Sequence, residues 1–361
     1  MNMLILTAFP RHDGFTRHCT DFFIKGVAQT ETPHTVLDLT HANIHPCKGC
    51  FHCWCKQPGN CIQNDGMIKL LDPFLAADAI VCATPLYAYD ISSYLKIFFE
   101  RTLPLLTPGV TYTSTGIDRN KKRFPDRGPR DMVAIVTGGL GARSHSDGAV
   151  TSLRCYAEGF DMHFHGALVR NESYLLQFTD TKPKTIKTIE AAFEQAGRMF
   201  ALERKVDPDL IEKVATPLAV NQERFQLYSN IYWEHAQKVY ARGGDIEEIK
   251  SLTRGDLRIL MNEMASSVDP VSTSRVKAVL LFKFPDINSS YSITINNGTA
   301  SIEFTENDNP NLTITCDSKI WVGVIHRTTD PLKALTGGDI KLKGEKDFFR
   351  KMGRFFPPPN L

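Results

Sequence analysis

The stretch MLILTAFPRHDGFTRH, residues 3–18, decides the fold. It opens with a short apolar run, which is typical of a strand covered on both faces, and a helical stretch over residues 17–29 follows the loop. Such a junction can bind an anion, because backbone N–H groups and the helix dipole both point at the ligand. Gly14 lets the backbone approach closely, Thr16 offers a hydroxyl and Arg11 can pair with phosphate oxygens.

The same alternation of strand and helix continues to about residue 202. Further strands are predicted at HTVLDLT, AIVCATPLY, DMVAIVTGG and FHGALVRNES, and each is followed by a loop or an amphipathic helical stretch. Ser92 or Ser93 is a candidate N-cap for the helix after the third strand. Repeated alternation predicts an α/β domain, a doubly wound parallel sheet with helices on both faces.

Two further strand ends carry signals for a ligand. Pro85–Tyr87 places an aromatic ring and a proline-bent loop after the third strand, which suits the face of a planar ring. Thr137–Gly139 ends the fourth strand in small residues, whose amides can bond a ring carbonyl. Either pattern alone is also typical of an ordinary turn. Open parallel sheets bind ligands at the carboxyl ends of their strands, so three signals at one edge favour a ligand site.

The segment CKGCFHCWCKQPGNC, Cys47–Cys61, holds five of the nine cysteines. Cys47, Cys50, Cys53 and Cys61 have the spacing C-x2-C-x2-C-x7-C, which is typical of [4Fe–4S] clusters. Zinc is less favoured, because structural zinc sites usually have two separated CxxC pairs. A redox disulfide is a third interpretation. A loop shaped by small, soft residues is the fourth, and we rank it slightly ahead of the cluster.

Together these motifs resemble the flavodoxin-like NAD(P)H-dependent FMN reductases, including the iron–sulfur flavoproteins. The resemblance covers the chain to about residue 202. The residues that match the family pattern are Pro10, Arg11, Gly14, Thr16, Cys47, Gly49, Cys50, Cys53, Trp54, Cys61, Pro85, Tyr87, Leu95, Lys96 and Arg101. The sequence departs from the pattern at Phe9 and Phe15, where the family has serine and asparagine.

The resemblance implies a flavodoxin-like fold that binds FMN, with NAD(P)H as electron donor. The expected cofactor-binding residues are Pro10, Arg11, Gly14, Phe15, Thr16, Pro85, Leu86, Tyr87, Thr137, Gly138 and Gly139. The first five belong to the phosphate loop, and the others border the isoalloxazine ring, where the amides of Gly138 and Gly139 would stabilise negative charge. Cys47, Cys50, Cys53 and Cys61 would be metal ligands only if a cluster is present. Relatives commonly pair, so a homo-oligomer is expected.

The C-terminal part has a different order of predicted elements, with short strands followed by helices. INNGTA carries Asn-Gly between alternating runs, which predicts a hairpin. YSITINNGTA, NLTITCDSKIWVGV and ALTGGDIKLKGEKDFFRKM resemble the sterol-carrier-protein-2-like domain. This resemblance implies an α+β fold and a lipid or other apolar ligand. The expected domains are 1–205, a helical linker 206–245, and 246–361.

Composition excludes some classes of function. The 361 residues carry a net charge of +2, too little for a dedicated nucleic-acid-binding or membrane-surface protein. No apolar run is long enough to span a bilayer, and the N-terminus lacks the pattern of a signal peptide, so we expect a cytoplasmic protein. The basic run RNKKRFPDRGPR is interpreted as a solvated loop.

The function predicted from the sequence is an FMN-dependent oxidoreductase. It would pass reducing equivalents from NAD(P)H through the flavin to a small acceptor, such as a quinone, a nitro or azo compound, or free flavin. The C-terminal domain would bring a hydrophobic acceptor. Two alternatives remain open: an electron-transfer iron–sulfur flavoprotein with FMN and a [4Fe–4S] cluster, and a non-catalytic lipid-binding protein.

Overall fold

The computed structural model of the chain describes residues 2–11, 13–113, 116–125, 127–177, 183–219 and 221–357. The chain divides into two compact units, Met1–Val220 and Asn221–Leu361. The domain boundaries expected from the sequence, at 205 and 245, lie on either side of this division. No helix in the described ranges is long and apolar enough to cross a membrane.

The N-terminal unit has eight strands and seven α-helices among its described residues. The strands are β1 (Met3–Thr7), β2 (His34–Asp38), β3 (Ala79–Tyr87), β4 (Asp90–Ile91), β5 (Leu106–Tyr112), β6 (Asp118–Lys122), β7 (Arg130–Thr137) and β8 (Met162–Arg170). The helices are α1 (Phe15–Ala28), α2 (His52–Cys55), α3 (Ile68–Ala76), α4 (Ser93–Arg101), α5 (Asp147–Gly159), α6 (Pro183–Glu203) and α7 (Pro208–Val214).

The main sheet has the parallel order β2-β1-β3-β7-β8, and β4 adds to the end of β3 as an antiparallel hairpin. This is the flavodoxin-like strand order, so the predicted doubly wound sheet is confirmed. All of β7 and the first seven residues of β3 are buried. This burial on both faces explains why the sequences of both strands are nearly continuous apolar runs. The carboxyl ends of β1, β3 and β7 therefore meet at one edge.

Helices cover the two faces of this sheet. The side chains of α3, α4 and α5 join alternate residues of β1, β3 and β7 in one apolar core. α1 packs against β3 and β7 and also contacts α6. Two glycines let α1 and α6 approach: a Cβ on Gly26 would lie 1.8 Å from the carbonyl oxygen of Glu194, and one on Gly197 would lie 2.0 Å from that of Phe23.

The sequence misses two small features of this unit. β5 and β6 pair with each other as a separate two-stranded antiparallel sheet, here called the ribbon. The basic run expected to be a solvated loop begins inside it, because Asp118–Lys122 forms β6. The hairpin between β3 and β4 is also missed, since a strand of two residues leaves no periodic pattern.

The C-terminal unit is an α+β domain, as predicted. Its helices are α8 (Gln222–Tyr240), α9 (Ile246–Arg254), α10 (Leu257–Ser266), α11 (Ser318–Ile325), α12 (Pro331–Gly337) and α13 (Asp347–Phe355). Its strands are β9 (Lys277–Phe284), β10 (Ser289–Asn296), β11 (Thr299–Glu303), β12 (Leu312–Thr315) and β13 (Lys341–Gly344). They form a mixed sheet in the order β11-β10-β9-β12-β13, in which β12 runs parallel to β9.

The predicted Asn-Gly hairpin joins β10 to β11. Asn297 and Gly298 have φ angles of 47° and 94°, the positive values that a type I′ turn requires at both central residues. Aromatic residues fill the core beneath the sheet, where Trp321 packs on Phe282 with 5.0 Å between ring centroids.

Candidate functional site

The loop after β1 leads into a helix N-terminus that no side chain caps. The N–H of Gly14 donates to the carbonyl of Arg11 at 3.2 Å, closing a tight turn, and Gly14 is the N-cap of α1. The first-turn N–H groups of Phe15, Thr16 and Arg17 meet no acceptor among the described residues. Free amides and the helix dipole together make this turn suitable for an anion.

Side chains around this turn differ in what they can offer a ligand. Arg11 is 57% exposed and lies 3.8 Å from Asp13, so its guanidinium is mostly in solvent. Pro10 is exposed and Phe15 is half-buried. Phe9 is 6% exposed and belongs to the core. The departure at Phe9 therefore replaces a polar side chain with an apolar one that faces inward.

A buried hydrogen bond joins the first helical turn to the end of β7. The hydroxyls of Thr16 and Thr137 are 2.6 Å apart, and the two residues are 5% and 4% exposed. That Thr137 borders a ring system stays a prediction. Its side chain fixes the distance between the uncapped turn at the start of α1 and the residues that follow β7.

A second buried network holds the ends of β1 and β3 together, and the sequence did not reveal it as part of the site. Ser92 occupies the N-cap position of α4, as one of the two predicted candidates, but its hydroxyl donates to the carbonyl of Ala8 at 2.8 Å and caps no helix N–H. The N–H of Ser92 donates to the hydroxyl of Thr84 at 2.9 Å, which in turn donates to the carbonyl of Pro85 at 3.0 Å. Thr84 and Ser92 are fully buried.

The hairpin after β3 presents aromatic rings at the same edge. Its two-residue turn has φ angles of 48° at Ala88 and 64° at Tyr89. Tyr87 is 46% exposed, so part of its side chain is accessible. The ring of Tyr89 meets His145 edge to face at 5.4 Å. Asp90 accepts a hydrogen bond from Ser152 at 3.2 Å, which ties the hairpin to α5.

The two glycines after β7 have different roles. The N–H of Gly138 donates to the carbonyl of Arg170 at 2.9 Å, so it is not available to stabilise charge on a ligand, and that part of the prediction is wrong. The N–H of Gly139 meets no acceptor in the described part of the chain, and a Cβ there would meet nothing within 4 Å. Gly139 therefore supplies both a free donor and open space.

Asn171 holds the loop that follows these glycines. Its side-chain carbonyl accepts from Ser146 at 2.9 Å, and its amide nitrogen donates to the carbonyl of Ala142 at 2.9 Å. A Cβ on Gly138 would lie 3.0 Å from the Asn171 carbonyl oxygen and 3.3 Å from Leu86. Asn171 and Leu86 thus border the space beside Gly138. No pattern in the sequence indicates a site role for Asn171, which directly follows β8, because an asparagine after a strand is typical of any turn.

The cysteine loop follows β2 and contains the single-turn helix α2. Cys53 is buried, Cys47 and Cys61 are half-buried, and Cys50 is exposed. Burial, and then the nearby thiols of Cys61, Cys47 and Cys50, raise the pKa of Cys53. The four predicted ligands therefore lie in one loop and differ in exposure. Their chemistry suits an iron–sulfur cluster, but no group of three or more His, Cys, Asp or Glu residues in the described ranges is arranged to hold a metal ion.

A buried ion pair anchors this loop to α4. Arg101 donates to both carboxylate oxygens of Asp65, at 2.6 and 3.0 Å, to the carbonyl of His45 at 2.7 Å and to the sulfur of Cys61 at 3.4 Å. Burial alone would raise the pKa of Asp65. The hydrogen bonds that its carboxylate accepts from Arg101 and from the backbone N–H groups of His45 and Met67, together with the positive charge of Arg101, outweigh burial and hold that pKa well below its usual range. The arginine that matched the family pattern thus has a positioning role.

Gly66 directly follows Asp65 of this pair. A Cβ there would lie 1.5 Å from the carbonyl oxygen of Ala42. The close approach of these two backbones therefore accounts for the glycine.

Known proteins with similar sequences include iron–sulfur flavoproteins. An iron–sulfur flavoprotein of Methanocaldococcus jannaschii is 27% identical over 105 residues, which cover 29% of this chain and 53% of that protein. An iron–sulfur flavoprotein of Archaeoglobus fulgidus is 28% identical over 95 residues, 26% of this chain and 42% of that protein. The chain spans about half the length of these curated relatives.

The solved structure of an NAD(P)H:quinone oxidoreductase from Methanothermobacter marburgensis is 18% identical with a TM-score of 0.40, covering 55% of this chain and 96% of that one. In the C-terminal unit, residues 247–360 match the sequence model described as alkyl sulfatase C-terminal. That description differs from the sterol-carrier-protein-2-like domain, which stays a prediction. Residues 1–197 match the sequence model of the flavodoxin-like fold family, more than half of the chain, and the protein belongs to that family.

Proposed function

We infer that this protein is an FMN-dependent oxidoreductase that passes reducing equivalents from NAD(P)H to a small acceptor. The observation that carries the inference is the hydrogen bond between Thr16 and Thr137. It holds an uncapped helix N-terminus next to the free amide of Gly139, at the strand edge where Tyr87 exposes its ring. Membership of the flavodoxin-like family and the flavoprotein names of two relatives support the same conclusion.

The turn at the start of α1 would hold the phosphate of FMN. Its three free N–H groups and the positive end of the helix dipole supply fixed partial charges. Arg11 adds a full positive charge from the solvent side, where it can move onto a phosphate. Because backbone groups provide most of these donors, the apolar side chains of Phe9 and Phe15 do not prevent binding.

The ends of β3 and β7 would hold the isoalloxazine ring of FMN. Tyr87 offers an aromatic face, and Gly139 offers an N–H that can donate to a ring carbonyl and favour negative charge there. FMN, when bound, supplies the hydride and electron transfer chemistry. The protein's part is to orient the ring, and the buried Thr84 and Ser92 hold the end of β3, which carries Tyr87, to the end of β1.

The acceptor would meet the ring at its exposed edge. Tyr87, Tyr89 and His145 surround that edge, and the first two are 46% and 60% exposed. Such a surface suits a planar acceptor of modest size, such as a quinone, a nitro or azo compound, or a second flavin.

Titration of the purified full-length protein with FMN tests this function. We expect saturable, stoichiometric binding, followed by loss of the visible flavin absorbance when NADH or NADPH is added without oxygen. The matched variant is Gly139→Val, which fills open space and should leave the melting temperature unchanged while weakening FMN binding at least about tenfold. Protein that folds but does not bind FMN would contradict the proposal and favour the non-catalytic alternative.

An iron–sulfur cluster in the cysteine loop is a second candidate feature. It is favoured by the spacing of Cys47, Cys50, Cys53 and Cys61 in the sequence and by the names of the two relatives. Among the residues that the structure describes, no three candidate ligands are arranged to hold a metal, so the loop would have to close around the cluster. Iron analysis of the anaerobically purified protein and of its Cys53→Ser variant distinguishes protein that holds a cluster from protein that does not. Iron in stoichiometric amounts that the variant loses would support an electron-transfer flavoprotein.

An apolar ligand of the C-terminal unit is supported by one buried polar atom. Trp321 is 2% exposed, and its indole nitrogen meets no partner among the described residues. The polar end of a lipid could accept that hydrogen bond. Binding of a fluorescent fatty acid, compared between the protein and Trp321→Phe, tests this; equal affinity would remove the support.

A further inference from the structure

Two buried charges stand at the end of β8, and the candidate site does not use them. Arg170 is 1% exposed and Glu172 is 6% exposed, and the guanidinium of Arg170 lies 3.6 Å from the carboxylate of Glu172. Two charges taken out of water need hydrogen bonds beyond their own attraction to offset the lost hydration. The other partners of Arg170 and Glu172 therefore indicate what this pair does.

Arg170 binds the C-terminal end of α7. Its guanidinium donates to the carbonyl of Val214, the last residue of α7, at 2.9 Å, and to the carbonyl of Thr216 at 2.6 Å. The last carbonyls of a helix have no partner within the helix, and a positive charge there also meets the negative end of the helix dipole. Arg170 thus joins the end of α7 to the end of β8.

Glu172 binds the segment that follows α7, residues 215–219, here called the strap. One carboxylate oxygen of Glu172 accepts from the N–H of Leu218 at 2.6 Å and from the N–H of Ala219 at 3.1 Å. Hydrogen bonds to a charged acceptor are stronger than those between neutral groups. The strap is the last described stretch before Asn221, where the C-terminal unit begins. The buried pair therefore fastens the segment through which the chain leaves the N-terminal unit.

The backbone at Glu172 also fixes the loop that carries the free amide of Gly139. The N–H of Glu172 donates to the carbonyl of Leu140 at 3.3 Å, and the N–H of Ser173 donates to the carbonyl of Gly138 at 2.9 Å. The residues on both sides of Gly139 are thus held by two consecutive residues after β8. The direction of the Gly139 N–H depends on these bonds, because that N–H itself meets no acceptor in the described part of the chain.

Glu172 adopts a backbone conformation that a non-glycine residue rarely takes. Its φ angle is 52°, in the left-handed region. A strained residue keeps such a conformation only where its surroundings hold it, and such positions cluster at functional sites. Glu172 is held by its backbone bond to Leu140 and by its side-chain bonds to the strap, so loss of one set should relax the other.

We propose that Glu172 is a positioning residue, which couples the fastening of the strap to the direction of the Gly139 amide. When the strap is fastened, Glu172 keeps its left-handed conformation and holds Leu140. When the strap is released, Glu172 relaxes and the loop beside Gly139 loses its fixed conformation. The coupling is reciprocal, so a ligand that bonds to the Gly139 N–H must also favour the fastened strap. The identity of that ligand as FMN rests on the proposed function.

An exposed ion pair between the same two parts of the chain gives a matched control. Arg143, which lies shortly after Gly139, donates to both carboxylate oxygens of Glu212 in α7, at 2.9 and 3.0 Å. The two side chains are 63% and 67% exposed. Water and salt weaken such a pair, so Glu212→Gln should leave both the loop and the strap unchanged.

Hydrogen exchange of the protein without ligand tests the coupling. Glu172→Ala should speed exchange in the strap, which loses its acceptor. It should also speed exchange at Gly138 and Ser173, whose acceptors are backbone carbonyls that the substitution leaves in place. We expect an increase of about tenfold or more at all of these amides and no change in Glu212→Gln. Faster exchange in the strap alone would overturn the proposal.

Ala219→Pro is a second variant, for the case that Glu172→Ala unfolds because Arg170 has lost its counter-charge. Proline removes one of the two strap N–H groups, and both buried charges remain. Exchange at Gly138 and Ser173 should rise again, by a smaller factor, whereas exchange in α3 should stay as in the parent protein. Equal acceleration in α3 would show a general loss of stability and would also overturn the proposal.

FMN supplies the reciprocal test. FMN added to the parent protein should slow exchange in the strap. Ala219→Pro should weaken FMN binding about fivefold or more and make the midpoint potential of bound FMN more negative, because the Gly139 N–H stabilises the reduced ring less. A parent protein that does not bind FMN would contradict the proposed function, and the exchange of the unliganded variants would then decide the coupling. FMN that binds without slowing exchange in the strap, or a variant equal to the parent in affinity and potential, would overturn the coupling.

Discussion

The hydroxyl of Thr16 lies 2.6 Å from the hydroxyl of Thr137, and this single bond connects the first turn of α1 to the last residue of β7. Both side chains are almost completely buried, so neither can turn to water if the other is lost. The bond sets the separation between the two parts of the candidate site that would hold the phosphate and the ring of one cofactor.

Thr16→Val should lower the free energy of unfolding by about 1–2 kcal/mol, because the buried hydroxyl of Thr137 loses its partner. FMN affinity should fall about tenfold as the two loops lose their fixed spacing. Chemical denaturation and FMN titration measure the two effects. Thr16→Val combined with Thr137→Val should cost less than the sum of the single changes, since no unpaired group remains. Strict additivity would mean that the two hydroxyls do not interact.

Ser92→Ala should destabilise the protein by about 1–3 kcal/mol, because it leaves the buried carbonyl of Ala8 without its donor. The matched control is Ser93→Ala, which removes the same hydroxyl from an exposed position one residue along the chain. Thermal unfolding compares the two. If both variants melt at the temperature of the parent protein, the link between β1 and α4 does not contribute to stability.

The strands and the edge at which they meet could be predicted from the sequence, because buried parallel strands leave unbroken apolar runs. The turns at Gly14 and Tyr87 could be predicted for the same reason, since they directly follow such runs. Thr84 and Ser92 could not be recognised as partners, because their hydrogen bonds join residues that meet only after the sheet has formed. A hydroxyl near a helix start predicts a cap, and only tertiary structure shows that the acceptor of the Ser92 hydroxyl is the carbonyl of Ala8, directly after β1.

The amide of Gly138 and the ribbon were missed for related reasons. Whether a backbone N–H is free depends on which carbonyl the neighbouring strand brings to it, and Arg170 lies in β8. The apolar residues of β5 in the ribbon are exposed. Their alternation with polar residues therefore resembles the irregular sequence of a surface loop. Sequence patterns that assume buried apolar residues fail to predict a strand whose apolar residues are exposed.

Asp65→Asn should lower the free energy of unfolding at neutral pH by about 3–5 kcal/mol, because it breaks a buried ion pair and leaves Arg101 without its counter-charge. In the parent protein the pKa of Asp65 is lower folded than unfolded. Its stabilisation is therefore complete above the unfolded value of about 4 and is lost as the pH falls toward the folded value.

Denaturant unfolding between neutral pH and about pH 3 measures this dependence. The loss of stability on acidification should be smaller in Asp65→Asn than in the parent protein, because one linked proton has been removed. Glu212→Gln, which breaks an exposed pair with Arg143, serves as the control and should leave the neutral-pH stability unchanged. Parallel acid profiles for the parent and Asp65→Asn would show that Asp65 is not the linked group.

Two glycines near the end of the chain should respond to alanine with opposite signs. Gly344 has a φ angle of 104°, and a Cβ there would lie 2.3 Å from the carbonyl oxygen of Asn311, so Gly344→Ala should destabilise the C-terminal unit by more than about 1 kcal/mol. Gly353 lies inside α13 with nothing within 4 Å of a Cβ, so Gly353→Ala should stabilise that unit by about 0.5–1 kcal/mol. Scanning calorimetry of both full-length variants resolves the signs. A stabilising Gly344→Ala would contradict the argument from backbone geometry, and a destabilising Gly353→Ala would contradict the argument from helix propensity.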